Sequence, residues 1–243
     1  EGINLDVSYL SSLSDDLSKD IETLEKSIYK TADKEFNLAS PRQLGIVLFE
    51  DLKLVEKPKK TKTGQYSTSE DVLRKLDEHQ IIQDILVWRS LIKLQNTYVN
   101  ALPTQVNTVT NRIHTDYNQA VAATGRLSSN NPNLQNIPIR TERGKQVRKA
   151  FIPRDENHIL VAADYSQIEL RIIAALSKDE NMIESFVNGE DIHAATAAKV
   201  FNVPLEEVTR EQRSNAKAVN FGIIYGQGAF TLAQQQKISR KEA

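Results

Sequence analysis

The sequence predicts an α+β chain in which helix dominates. Three observations carry that reading. Apolar residues recur at helical spacing through the first hundred residues and again through the final third. A short alternating stretch lies between them. A brief continuous apolar run, HILVAAD at residues 158–164, ends in an acid. The 243 residues, 40% hydrophobic and 26% charged, are enough to bury a real core and argue against disorder. With 9 glycines and 7 prolines, linker-like and collagen-like readings are excluded. The absence of cysteine rules out a disulfide framework, a thiolate metal site and a cysteine nucleophile. No apolar run approaches the ~18 residues a membrane helix needs, and no secretory leader is legible. The chain opens on Glu1 and runs at once into patterned sequence, so a fragment of a longer protein is expected.

Taken in order, Leu10, Leu13, Leu17, Ile21, Leu24 and Ile28 step by three or four and lay one apolar stripe along a first helix. Ser40 followed by Pro41 reads as an N-cap and first helical residue of a shorter helix. Residues 57–69, KPKKTKTGQYSTS, are polar and aperiodic, and read as a loop. Helical spacing returns over residues 70–76 and 81–99. Alternation between residues 102 and 124 predicts strands. Residues 125–140, GRLSSNNPNLQNIPIR, are rich in turn formers and are expected to lack regular structure. HILVAAD reads as a buried strand, residues 168–176 as a helix, and Thr209 with Gln212 as a capping box ahead of another.

The net charge of −1 hides local imbalance. Residues 1–35 carry nine acids and four bases, residues 140–154 carry six bases and one acid, and residues 57–62 hold four lysines and no acid. Concentrated positive segments suit a phosphate-tracking surface, and they equally suit a solvated face.

Two stretches carry chemistry. In ADYSQIELR, Asp164 ends the apolar run, where its carboxylate needs a cation, a metal or water. The same position also suits a helix cap. In RSNAKAVNFGIIYG, Arg213, Lys217, Phe221 and Tyr225 follow at steps of four and form a slowly winding stripe on one helix. Two cations, then an aromatic ring, then a phenol match the needs of a nucleoside triphosphate. Spacing alone also allows a basic helix with core aromatics. Gly222, Gly226 and Gly228 do not make a phosphate loop, since no Gly-Lys-Ser/Thr follows.

Together with TGRLSSNNPNLQNIPIR (residues 124–140) and DIHAATA (residues 191–197), these stretches resemble the ordered motifs of the family A DNA polymerases. The resemblance implies a right-hand architecture: a helical thumb over residues 1–100, part of a mainly antiparallel palm sheet over 101–176, and the first part of helical fingers over 177–243. It implies that Asp164 is a catalytic carboxylate, one of two that hold a pair of Mg²⁺ ions, helped by the Tyr165 carbonyl. Arg213, Lys217 and His193 would hold the incoming triphosphate, with Lys217 also in the catalytic set. Phe221 would pack on the sugar, and Tyr225 would adjoin the template base. Glu169 would lie beneath the sugar C2′ and hydrogen-bond Tyr225, and Gln167 would share the nucleotide pocket. Arg126 would read the minor groove at the primer terminus. Asn133 and Gln135 would contact the primer–template end, and Arg140 the phosphates. Lys59, Lys60 and Lys62 would sit on the thumb tip and grip duplex phosphates.

The family's later His-Asp-Glu motif is not present in these residues. Little or no synthesis by the chain alone is therefore expected, with exposed apolar surface on an incomplete palm. The implied partners are primer–template DNA and deoxynucleoside triphosphates, for a monomeric cytoplasmic protein without a membrane segment. Two rivals stand beside this reading: a DNA-gripping module without catalysis, and a single-subunit RNA polymerase, against which Glu169 and Phe221 argue. Trp88 is expected in the helical core and His79 on the surface. His114 is open between a sheet position and a DNA contact, and His158 carries no expected role.

Overall fold

Three residues that show no periodicity of their own open the structure, a computed structural model that describes every residue except Arg140, Lys237 and Glu242. Ile3–Leu5 (β1) form a strand too short to announce itself by alternation. Asp6 then caps α1 (Val7–Ala32), its carboxylate accepting the Tyr9 backbone N–H at 2.8 Å. The apolar stripe behaves as its spacing requires: Leu10, Leu13, Leu17, Ile21 and Ile28 are buried, and Leu24 packs against them half-buried. Burying each such side chain stabilises the fold by about 1.5–3 kcal/mol.

Ser40 caps α2 (Pro41–Ile46), which runs on into a π-turn at Val47–Asp51. Residues 57–69 are irregular, apart from a single antiparallel bridge between Lys60 and Tyr66. The lysine ammonium lies 5.0 Å from the tyrosine ring centre. Next come α3 (Glu70–Leu73) and α4 (Gln80–Leu94), the latter extended by a π-turn at Gln95–Val99. α4 packs along α1. Trp88 is buried there, and its indole N–H donates to Glu25 at 2.9 Å. The buried carboxylate of Asp84 accepts from Ser27 and Gln80, both at 2.7 Å, so its desolvation is offset by hydrogen bonds.

The alternating stretch yields less strand than expected. Pro103–Gln105 is a turn of 3₁₀ helix, and only β2 (Arg112–Ile113) and β3 (Asp116–Asn118) are extended. The turn-rich segment after it is more regular than expected, because β4 (Ser128–Asn130) pairs with β3. The Ser129 hydroxyl, buried, meets Thr115 Oγ1 at 2.7 Å and accepts the Leu134 N–H at 3.0 Å, which holds the turn against the hairpin. Thr141 caps α5 (Glu142–Arg148), and β5 (Phe151–Ile152) follows. β1 lies between β2 and β5, antiparallel to both, with Ile3 opposite Ile113 and Leu5 opposite Phe151. His114 bonds Thr110 Oγ1 at 2.7 Å, and His79 precedes α4 beside Glu78. His158 pairs with Asp155 at 2.6 Å, and that hydrogen bond holds the Asp155 carboxyl below its ordinary range.

The expected buried strand at residues 158–164 does not form. The segment is irregular, with Ile159 81% and Val161 82% exposed. An apolar run becomes a buried strand only when neighbours take up its backbone groups and cover its faces. Among the described residues, none of the strands pairs with it.

The chain divides into two compact units, Glu1–Val161 and Ala162–Ala243. The second is helical throughout its regular elements: α6 (Ile168–Ser177), α7 (Glu180–Val187), α8 (Ile192–Phe201), α9 (Arg210–Ile224) and α10 (Ala229–Gln236). The fold is thus mostly helical with small antiparallel sheets. Among the described residues no helix is long and apolar enough to cross a membrane.

Candidate functional site

The site lies within the second unit, where α6, α8 and α9 bring their polar residues together. α9 starts on the capping box that its sequence shows: the Thr209 hydroxyl accepts the Gln212 N–H at 3.2 Å, and the Gln212 side chain accepts the Thr209 N–H at 2.9 Å. With its start fixed, the helix carries Arg213, Lys217 and Phe221 along one face and ends on Tyr225. The Lys217 ammonium stands 6.0 Å from the Phe221 ring centre. Phe221 stacks on Tyr225 at 6.2 Å with an interplanar angle of 15°. The stripe is therefore a surface of half-buried and exposed side chains, and the reading of its aromatics as core residues falls away.

Asp191 is the hub of α8. As N-cap it accepts the backbone N–H of His193 at 2.9 Å and of Ala194 at 3.2 Å through Oδ1. Its other oxygen accepts the Arg213 Nε–H at 2.6 Å. Burial pushes this carboxyl up, but the Arg213 hydrogen bond and charge and the two backbone N–H groups outweigh it and hold it below the ordinary carboxylate range. Asp191 thereby orients the Arg213 guanidinium through Nε–H, one of its five donors.

His193, one turn into α8, is 2% exposed, and its ring lies 5.8 Å from that of Phe221. Burial lowers its pKa; the Asp191 charge opposes this, and Arg213 and Lys217 reinforce it. The imidazole is accordingly held neutral near pH 7. Asn220 Nδ2 reaches His193 Nδ1 at 3.1 Å.

From α6, the Glu169 carboxylate accepts the Tyr225 hydroxyl at 2.8 Å, the pairing the family resemblance implies. Gln167, a left-handed residue (φ 53°) at the N-cap of that helix, approaches Asp191 Oδ1 at 3.5 Å. Asp164 and Tyr165 lie just before it on exposed irregular chain, so Asp164 does not cap the helix. Among the described residues no group of three or more His, Asp or Glu could hold a metal ion. A Mg²⁺ pair needs more oxygen ligands than one carboxylate and one carbonyl supply, so these residues do not by themselves fit it.

The expected DNA contacts belong to the first unit. Lys59, Lys60 and Lys62 are exposed on the bridged loop. Arg126 is exposed just before β4, and Asn133 accepts the Gln135 N–H at 3.0 Å in the turn beyond it. Arg140 lies outside the described residues. Asp191 and Thr196 fall in the DIHAATA motif and Asn220 in RSNAKAVNFGIIYG, but sequence reasoning gives none of them a role, and the structure makes them part of the site. Asp191 carries an N-cap signal ahead of an apolar helix, while nothing local distinguishes Thr196 or Asn220.

Arg213 and Lys217, the buried His193 ring, and the stacked Phe221–Tyr225 pair with its phenol tied to Glu169 are thus gathered by α6, α8 and α9. The chain belongs to DNA polymerase family A, which it matches over residues 7–243. Its relatives are DNA polymerases I: it is 51% identical to that of Geobacillus stearothermophilus and 50% identical to that of Bacillus subtilis (strain 168), in each case over 243 residues. These alignments cover 100% of this chain but 28% and 27% of those proteins. Among solved structures, the POL domain of Pol1 from M. smegmatis, in complex with DNA primer–template and dNTP, is similar with a TM-score of 0.87 and 46% identity. That match covers 99% of this chain and 42% of the other.

Proposed function

We propose that this chain is part of the polymerase region of a DNA polymerase I and that the α8–α9 site receives the incoming deoxynucleoside triphosphate during template-directed extension of a primer 3′-hydroxyl. The observation that carries the reading is the stripe Arg213, Lys217, Phe221 and Tyr225, with His193 beside its ring and Glu169 bonded to its last residue. Arg213 and Lys217 neutralise phosphate oxygens, and Lys217 also balances charge developing on the transferring group. His193 adds a hydrogen bond. Phe221 offers a flat apolar surface to the sugar, and Tyr225 a ring beside the template base. Glu169 fills the space a ribose 2′-hydroxyl would need, and Gln167 lines the same pocket.

On this reading residues 1–100 form the thumb, 101–176 part of the palm and 177–243 the first part of the fingers of a right-hand polymerase. Lys59, Lys60 and Lys62 hold duplex phosphates, Arg126 reads the minor groove, and Asn133, Gln135 and Arg140 contact the DNA near the primer end. Asp164 and the Tyr165 carbonyl are this chain's contribution to a Mg²⁺ site that needs further ligands. The protein works as a monomer in the bacterial cytoplasm, in replication and repair.

Titrating the chain with a deoxynucleoside triphosphate tests the site. Lys217→Ala and Arg213→Ala should each weaken binding about tenfold or more, as expected when hydrogen bonds to charged groups are removed. Binding untouched by both changes would refute the reading. A second reading, a primer–template grip without chemistry, is favoured by the missing three-residue metal cluster among the described residues. Salt-dependent DNA binding by the chain without primer extension would support it, and robust extension would exclude it.

A further inference from the structure

His193 has a choice of proton position, and its neighbours remove that choice. The Thr196 hydroxyl donates its single hydrogen to the Ile192 carbonyl at 2.8 Å. Thr196 Oγ1 can therefore only accept from its other partner, Asn220 Nδ2, at 3.1 Å. That hydrogen bond fixes the amide with its NH₂ end toward α8. The same nitrogen lies 3.1 Å from His193 Nδ1. An amide NH₂ has two hydrogens to give and no lone pair to offer, so the ring atom facing it must be the acceptor.

We infer that Thr196 and Asn220 are positioning residues that fix the proton of His193 on Nε2, so that the imidazole meets the triphosphate as a neutral donor. For its ligand the inference rests on the nucleotide reading above; for the tautomer it rests on geometry alone. The charged groups around the ring are Asp191 on its own helix and Arg213 and Lys217 on α9. A second N–H on the ring would point at the Asn220 hydrogens, so the amide disfavours imidazolium as well as the Nδ1–H tautomer. The consequence is directional. With hydrogen on Nε2 the ring attracts a phosphate oxygen; with hydrogen on Nδ1 it would turn a lone pair toward the same oxygen and repel it. The site thus gains a donor without adding a third positive charge beside Arg213 and Lys217.

Long-range ¹H–¹⁵N correlation spectra of the chain labelled with ¹⁵N-histidine test this directly. Only 4 histidines contribute, and His193→Gln identifies the resonance. The expected pattern is an unprotonated Nδ1 and a protonated Nε2 in the free protein. Asn220→Asp replaces a donor with an acceptor and should move the proton onto Nδ1 and raise the His193 pKa, because a carboxylate beside the ring favours the charged form. Thr196→Val frees the amide to turn and should yield a mixture of tautomers. A wild-type Nδ1–H pattern, or a tautomer indifferent to both changes, overturns the inference. If Asn220→Asp does not fold, the wild-type spectrum and Thr196→Val decide it. Adding dATP should shift the Nε2–H signal, and Asn220→Asp should weaken dATP binding about tenfold. An Nε2–H tautomer that dATP leaves unmoved overturns the ligand half, and with it the placement of His193 on the triphosphate, while the proton assignment stands.

Discussion

The Tyr225 hydroxyl donates to Glu169 Oε2 at 2.8 Å and ties the end of α9 to the first turn of α6 across 56 residues of sequence. The hydrogen bond brings the carboxylate to the end of the cation-and-ring stripe. On the proposed reading, a sugar lying over Phe221 meets this carboxylate as a wall.

That wall is expected to select the sugar. In a polymerase-competent protein carrying this chain, Glu169→Ala should raise the ratio of ribonucleotide to deoxynucleotide incorporation by about tenfold or more, the scale of discrimination a pocket wall can supply. Tyr225→Phe keeps the ring and removes only this hydrogen bond, and should give a smaller rise. Primer extension with each nucleotide set measures both; an unchanged ratio in Glu169→Ala would remove Glu169 from this role.

The Asp191–Arg213 pair should make the second unit acid-sensitive. The folded carboxyl titrates below its ordinary range, so the unfolded state binds the proton more readily. Its contribution is fully present above the unfolded carboxylate value, near 4, and is lost as pH falls through the lower folded value. Both side chains are more than a third exposed, so solvent screening keeps the ion-pair share small. Asp191→Ala also removes the cap of α8, at about 1 kcal/mol. Urea unfolding followed by amide exchange in α8 should show that loss at pH 7 and a smaller difference between wild type and variant at pH 2.5.

Leu17 is wholly buried on the α1 stripe, so Leu17→Ala should destabilise the first unit by about 2–5 kcal/mol. The lone tryptophan, Trp88, belongs to that unit and bonds Glu25 of α1. Its fluorescence should report the shifted unfolding midpoint, and a shift below about 1 kcal/mol would contradict the packing described.

The bridged loop should carry electrostatic affinity. Replacing Lys59, Lys60 and Lys62 together by Ala should weaken primer–template binding and reduce the slope of log affinity against log salt by up to about 0.9 for each phosphate no longer neutralised. Equal slopes for wild type and variant would place the DNA elsewhere.

Much of the fold was legible because its signals are local. The α1 stripe, the Ser40–Pro41 start, the loop at residues 57–69 and the Thr209–Gln212 box each need only neighbours within a turn or two. The strands were less legible. Ile3–Leu5 is too short for alternation to show, and Ser128–Asn130 is polar and becomes a strand only through its pairing with β3. Asn220 looks like any polar helix residue until Thr196 and His193 are placed against it.

The sequence by itself determined the order of charge and ring along α9, since a helix converts steps of four into a stripe without outside help. It also carried the motifs by which the family shows. Tertiary structure alone decided that Asp191 meets Arg213, that Tyr225 meets Glu169 and that Asn220 faces His193, because those partners are brought together by packing of helices far apart in the chain. It likewise decided that HILVAAD stays irregular and exposed: hydrophobicity favours burial, but a strand exists only where another strand takes up its backbone hydrogen bonds.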